Sequence, residues 1–245
     1  IQIIDLKNGV EAKAWENAVS GTVDNSFGTE QALQFLKEAN KDIQKRYFRM
    51  SKAGVTNAWT EGFLGPEEPL KLIIVDETSR LFNEAEAGGE KMAAACLAEM
   101  QKIVEQGRAA GYVLIMSTQY PVTANLPTRI RENASDAICL KVKGAPAMMS
   151  TLGSEFMPTP TVNPTKLLGR GDAIIVNGEH SDGVRVQFAF LDSEKKAEVI
   201  TQSKIGGTHW LDDHERWDEL VAETLKRKDD LMSGDLDLEP EAEEP

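Results

Sequence analysis

The chain has 245 residues and a mass of 26.9 kDa, enough for one large α/β domain or two small ones with a real buried core. With 41% hydrophobic and 27% charged residues its composition is ordinary globular usage, and no apolar run approaches the roughly 18 residues of a membrane span. A net charge of −13 argues against a protein that coats nucleic acid over its whole surface, while leaving room for a local basic groove or a lined pore.

In chain order, Ile1–Leu6 reads as a buried strand that ends in the polar turn Asp5-Leu6-Lys7-Asn8-Gly9. An opening in mid-strand, without methionine, predicts that an N-terminal part is missing from this numbering. Leu33, Leu36, Ile43 and Tyr47 recur at helical spacing and predict a helix over 29–50. Residues 51–69, punctuated by Gly54, Gly62, Gly65 and Pro66, predict a connector. Leu72–Val75, bounded by Lys71 and Asp76, has the pattern of a central parallel strand. Met92, Cys96, Leu97, Met100, Ile103 and Val104 give an apolar face to a helix at 90–109, which Gly111 ends before a strand at Tyr112–Met116.

Further strands are expected at Ala137–Val142 and Ala173–Val176, with an alternating edge strand at Val184–Leu191. The region 144–170 reads as a proline- and glycine-punctuated excursion from the sheet. Trp217, Leu220, Val221 and Leu225 predict a last helix, and residues 229–245, with eight acids and no base, predict a solvated tail. The alternation of strands and helices argues for a doubly wound α/β sheet with right-handed crossovers. Cys96 and Cys139 are too few for a disulfide scaffold or a four-thiolate zinc site, and they read as reduced core thiols of a cytosolic protein. His180, His209 and His214 lack metal-ligand spacing, and Trp210 and Trp217 read as packing.

The sharpest chemical signal is Leu72-Ile73-Ile74-Val75-Asp76-Glu77. Two acids where a buried strand leaves its sheet cost desolvation unless a cation is near. A nucleotide triphosphatase needs that pair, with Asp76 to hold Mg²⁺ and Glu77 to polarise the attacking water. The alternative is a strand end at the solvent edge. The next strand leads into Ser117-Thr118-Gln119-Tyr120-Pro121. Ligands of open α/β sheets lie beyond the carboxyl ends of the strands, so Thr118 and Gln119 are expected beside the acids, where the amide can contact a γ-phosphate or the water. Asp5 and Lys7 could face the same site or form a strand-end salt bridge.

Four blocks, DETSRLF, GRAAGYVLIMSTQYP, IRENASDAICLKV and KLLGRGDAIIV, resemble in content and order the motor core of the FtsK/SpoIIIE family of DNA translocases, and the opening IIDLKNG resembles that family's I-D-P-K strand end. The resemblance covers about residues 1–190. It implies a RecA-like P-loop NTPase core, a mostly parallel sheet flanked by helices, over 1–192, followed by a helical segment at 193–228 and the acidic tail at 229–245. It also implies ATP and Mg²⁺ as cofactors, with Asp76 as the magnesium-ordering acid, Glu77 as the catalytic glutamate and Thr118 and Gln119 at the nucleotide. The family's phosphate-cradling loop lies one helix before the opening strand, and no G-x-x-x-x-G-K-[ST] occurs in these 245 residues.

Members of the family are ring hexamers in which a neighbour supplies an arginine. Arg131 and Arg170 match best, with Arg129 behind them, and an arginine usual after the strand Ala137–Val142 is replaced near Met149. DNA contacts in the family come from pore loops. Gly88-Gly89-Glu90-Lys91 falls at the first, although Glu84, Glu86 and Glu90 make it acid-rich, and Lys141–Pro146, with Lys143, leads to the second. The implied activity is an ATP-driven double-stranded DNA translocase. The absence of the family's winged-helix module after residue 190 tilts this toward conjugative transfer or DNA partition. The motor would be cytoplasmic, with membrane attachment only through the missing N-terminal region. An EccC-like type VII secretion ATPase that moves polypeptide is the alternative, and a non-hydrolysing structural relative is disfavoured by the intact acid pair and Gln119.

Overall fold

The computed structural model describes residues 1–202, apart from 8, 17, 25–28, 61 and 123–124. The expected helix at 217–225, His209, His214, Trp210 and the acidic tail lie outside the described residues. Chain order runs β1 (Gln2–Asp5), α1 (Val10–Lys13), β2 (Gly21–Asp24), α2 (Glu30–Lys52), β3 (Lys71–Asp76), α3 (Ser79–Phe82), α4 (Glu84–Ala87), α5 (Glu90–Gln106), β4 (Tyr112–Met116) and α6 (Thr128–Arg131). It continues through β5 (Ala137–Leu140), α7 (Ala145–Leu152), β6 (Asp172–Val176), β7 (Val184–Gln187) and α8 (Ser193–Gln202). No helix among these residues is long and apolar enough to cross a membrane.

The first four strands form one parallel sheet in the order β2-β1-β3-β4. Parallel neighbours require crossovers, and the long amphipathic helices α2 and α5 supply them. Ala32, Phe35, Leu36, Ala39, Ile43 and Met50 repeat at three- and four-residue steps along α2 and are all buried. The two helices are also stitched by polar contacts. The Asn40 amide donates to the Glu99 carbonyl at 2.9 Å, and the Tyr47 hydroxyl donates to the Gln106 carbonyl at 2.8 Å. Ile73 and Val75 of β3 are fully buried, as expected for a central strand.

The remaining strands form a separate sheet, β5-β6-β7, and both of its pairings are antiparallel. Strand–helix alternation alone does not predict this. The region 144–170 is not purely an excursion either. It contains helix α7, which closes a small core of Cys139, Met148, Leu152, Phe156, Leu167 and Ile174 beneath the second sheet. Strand β2 escaped the sequence reading because Gly21-Thr22-Val23-Asp24 is four residues long with a single branched apolar side chain. Both cysteines are free and buried, and burial pushes the Cys96 thiol up to about 11, which keeps it unreactive.

The end of the parallel sheet away from the acid pair is fixed by a buried arginine. Arg46 on α2 is 1% exposed and donates to the carbonyls of Ala110, at 3.0 Å, and Pro69. Its guanidinium lies 5.5 Å from the Tyr112 ring centroid and 3.6 Å from the carboxylates of both Asp42 and Glu68. Gly111 beside it has φ +75°, and a Cβ there would stand 3.1 Å from the Arg46 Nη1 and 3.0 Å from Leu64. The arginine thus ties α2 to the residues that start β3 and β4. Removing it leaves the Ala110 and Pro69 carbonyls without this donor and takes the buried cation away from Asp42 and Glu68, so Arg46→Ala is expected to cost about 3 kcal/mol. Urea unfolding checks this, and a loss below about 1 kcal/mol would contradict the assigned role.

Candidate nucleotide-hydrolysis site

Parallel pairing sets the level at which each strand ends. Asp5 of β1 stands opposite Asp76 of β3, and Val75 stands opposite Met116 of β4. The residues that follow therefore emerge side by side: Leu6-Lys7 from β1, Asp76-Glu77 from β3 and Ser117-Thr118-Gln119 from β4. Two backbone bonds extend the β3–β4 ladder past the sheet, Ser117 N–H to the Val75 carbonyl and Thr78 N–H to the Ser117 carbonyl, both at 2.9 Å. The acid pair and the Ser-Thr-Gln turn are thus one structural unit, as the sequence predicts.

Glu77 is the most constrained residue of the group. Its φ is +59°, the single positive value outside glycine among the described residues, and a side chain bears it at a cost of about 1–3 kcal/mol. That turn folds the carboxylate back against β4, where Glu77 is 7% exposed. The Ser79 and Thr118 hydroxyls each donate to Oε1 at 2.8 Å, and the Gln119 backbone N–H lies 3.4 Å from both carboxylate oxygens. Oε2 carries no hydroxyl donor and faces the Lys7 ammonium at 3.7 Å. A buried carboxylate survives only with such donors. Here they fix one oxygen and leave the other available.

Asp76 is more open, with 29% of its side chain exposed. The Ser117 hydroxyl donates to its Oδ1 at 2.5 Å, and the Lys7 Nζ stands 3.3 Å from Oδ1 and 3.2 Å from Oδ2. A carboxylate and a hydroxyl are hard oxygen donors of the kind Mg²⁺ prefers, and the lysine already supplies a cation at that position. Among the described residues no cluster of three His, Cys, Asp or Glu side chains could cage a metal on its own. Mg²⁺ needs no such cage, since it is held by one or two carboxylates together with substrate phosphates. Ser79, Ser117 and Lys7 complete the group. The two serines lie inside the quoted blocks without a role assigned to them there, and Lys7 was legible only as one of two alternatives.

The Gln119 backbone N–H lies against Glu77 while its side chain is exposed. The other expected site residues belong to other elements: Arg129 is exposed on α6, and Arg170 is exposed in the loop before β6. Arg131, at the end of α6, donates through Nη1 to the carbonyl and hydroxyl of Ser150 on α7, both at 3.1 Å. Lys91 lies in the first turn of α5, after Gly88 and Gly89, both with positive φ, and it is exposed, as is Lys143 after β5. Asp172 organises the loop that carries Arg170. Its carboxylate accepts from Gly169 N–H at 3.1 Å and pairs with the Arg185 Nη2 at 2.8 Å, which holds its pKa below the usual carboxylate value, with the Arg185 hydrogen bond the largest cause.

A depressed carboxylate contributes stability above its unfolded pKa of about 3.9 and loses it as pH falls through the lower folded value. The stability difference between wild type and Asp172→Asn should therefore be constant above about pH 5 and shrink below about pH 4. Denaturant titrations at pH 7 and pH 3 check this, and an equal difference at both would refute the pairing.

No protein-family model matches the chain. Among curated proteins it is 29% identical over 197 residues to the DNA translocase SpoIIIE of Bacillus subtilis, covering 71% of this chain and 22% of that protein. It is 30% identical over 183 residues to a DNA translocase FtsK of Staphylococcus epidermidis, covering 69% and 21%. The chain thus spans about a fifth of the length of these relatives. Among solved structures, the pCW3 conjugation coupling protein TcpA with ATPγS superposes with a TM-score of 0.64 at 20% identity, over 82% of this chain and 55% of that one. The cytoplasmic domain of the type VII secretion ATPase EccC of Thermomonospora curvata gives 0.57 at 18% identity, over 85% and 24%. The P-loop ATPase fold and the sequence kinship with FtsK and SpoIIIE are both established by these likenesses.

Proposed function

We propose that this chain, a relative of the FtsK and SpoIIIE DNA translocases, is part of an ATP-hydrolysing motor that moves double-stranded DNA. The observation that carries the reading is the Glu77 carboxylate, turned back by a left-handed backbone and held on one oxygen by Ser79 and Thr118 beside a second acid. A strand end with only a structural role has no need of that strain.

Asp76 and Ser117 would hold Mg²⁺, which supplies charge neutralisation to the nucleotide phosphates when bound. Glu77 accepts a proton from the attacking water at Oε2, the oxygen without a hydroxyl donor, while Ser79 and Thr118 keep the carboxylate from rotating. The Gln119 side chain, at the same strand end, orients the water or meets the γ-phosphate. This mechanism requires a phosphate-cradling loop in addition to the residues described, since no G-x-x-x-x-G-K-[ST] occurs among these 245. Assembly into a ring supplies the remaining charge through an arginine from a neighbour. Arg170, exposed in its loop, suits that role better than Arg131, whose guanidinium is engaged by Ser150. Lys91 and Lys143 are the candidate contacts to DNA phosphates.

One observation favours a second reading. The acids Glu84, Glu86 and Glu90 around Gly88-Gly89 suit a phosphate backbone poorly and would suit a polypeptide cargo, as in an EccC-like exporter. Stimulation of hydrolysis by double-stranded DNA, lost on Lys143→Glu, would favour the DNA motor. Stimulation by a polypeptide alone would favour export.

In the full-length gene product, Glu77→Gln is expected to lower kcat by at least about 10²-fold with nucleotide binding nearly unchanged, because the carboxylate acts on the water in the transition state. Turnover within a few-fold of wild type would remove Glu77 from the reaction. Asp76→Asn is expected instead to weaken Mg²⁺-dependent nucleotide binding. An arginine finger is worth about 10³–10⁵ in rate, so Arg170→Ala subunits should be nearly inactive alone. Mixed with Glu77→Gln subunits they should regain hydrolysis, since some interfaces then join an intact Glu77 to an intact Arg170. Mixtures that assemble and stay inactive would exclude Arg170 as the residue acting in trans.

A further inference from the structure

We propose that Lys7 is a placeholder cation. It holds Asp76 and Glu77 in the nucleotide-free protein and keeps free divalent metal off Asp76 until phosphates arrive. This rests on the reading of Asp76 as the metal-holding acid and adds to it the residue that governs when the metal enters.

Among the described residues, Lys7 is the cation that lies against both acids. Its Nζ lies 3.2 and 3.3 Å from the two Asp76 oxygens and 3.7 Å from Glu77 Oε2. It thus stands where the two carboxylates are both within reach and where a metal held by Asp76 would have to sit. The backbone that delivers it is fixed. Asp5 accepts the Lys7 N–H at 2.8 Å and the Ala12 N–H at 3.0 Å, and the N–H of fully buried Leu6 is directed at the Asp76 carbonyl, 3.4 Å away. These bonds lock the turn after β1 to the start of α1 and to the end of β3. The side chain beyond that anchor is freer. It is 35% exposed, and its four-carbon stem lets the ammonium leave Asp76 without moving the turn.

Two adjacent carboxylates with no cation would repel each other and would draw divalent metal directly from solution. A lysine between them removes both effects. It neutralises one charge and occupies the position with a monovalent group that cannot bring phosphates with it. A metal–nucleotide complex carries its own negative charge, which gives the displaced ammonium a new partner. Free metal offers none and must compete against the lysine. Removing the ammonium that occupies this position should therefore tighten binding of free metal by about tenfold or more, even with solvent screening.

The test is a titration of the nucleotide-free, full-length gene product with Mn²⁺, read by the loss of free-ion electron paramagnetic resonance signal. Wild type is expected to bind weakly. Lys7→Met should bind about tenfold tighter or more, Lys7→Arg should stay near wild type because it keeps the charge, and Asp76→Asn added to Lys7→Met should abolish the gain. Lys7→Gln gives a second uncharged variant should Lys7→Met fail to fold. Equal Mn²⁺ affinity in wild type and either folded uncharged variant would overturn the proposal, as would a gain that survives Asp76→Asn. The readout needs no ATP turnover. A failed hydrolysis reading would appear in the Glu77→Gln kinetics, and a failed placeholder would appear only in the metal titration.

Discussion

The site depends on strand register. With Asp5 opposite Asp76 and Val75 opposite Met116, three neighbouring strands release their chains at one level, and lysine, acid pair and hydroxyl turn meet without any long loop to carry them. A slip of one residue would turn the end of β3 to the opposite face of the sheet. Asp76 would then lose Lys7 and Ser117 together, and Glu77 would lose the hydroxyl of Thr118. Register in turn is held by burial, since Ile73 and Val75 must face the helices and cannot trade places with Ile74. Packing of a few aliphatic side chains therefore sets the positions of the charges.

The opposite end of the sheet carries the complementary constraint. Arg46 is buried with full charge because its donors reach the two carbonyls that precede the start of β3 and β4 and because Asp42 and Glu68 stand within 3.6 Å. Tyr112 adds its ring face beneath the guanidinium and donates its hydroxyl to Asp42, and burial with that carboxylate nearby pushes the phenol well above its ordinary pKa. The phenol stays protonated and acts as a donor throughout. Gly111 is required by the same arrangement, because a side chain there would meet the arginine. The R-A-A-G segment quoted for its family resemblance thus has a physical reason in this chain, which is to bring β4 in beside a buried cation.

Much of this was legible in the sequence where one residue type had one economical place to go. The four apolar residues before Asp76 fix a central strand, and the helical spacing of Leu36, Ile43 and their neighbours fixes α2 to within two residues at either end. The meeting of Gln119 with the acids follows from the parallel-sheet rule alone. The unread parts have physical reasons too. The antiparallel placing of β5 on β6 is decided by pairing between segments more than 30 residues apart, which hydrophobic periodicity does not encode. The role of Lys7 could not be chosen between two alternatives, because a lysine just after a strand is common and only the register shows which charges it meets. Ser79 and Ser117 are small polar residues in turns, and nothing in their type separates a donor to a buried carboxylate from a solvated hydroxyl.

The two arginine candidates show how a local hydrogen-bond inventory separates residues that a motif treats alike. In the loop Leu168-Gly169-Arg170-Gly171-Asp172 the obvious local partner for Arg170 is Asp172, two residues on. That carboxylate is already satisfied by Arg185 from β7 and by the N–H groups of Gly169 and Leu168, and Asp172 is 6% exposed. Gln187 takes the Arg170 carbonyl at 2.7 Å, which fixes the backbone while making no demand on the guanidinium. The loop is therefore ordered by its backbone and by the Asp172 carboxylate, with the arginine head left exposed. At Arg131 the reverse holds, since both of its bonds run to Ser150 of its own chain and help seat α7. A cation that must reach across to a partner has to be free of local work while its backbone is held still, and of the two only Arg170 meets both conditions.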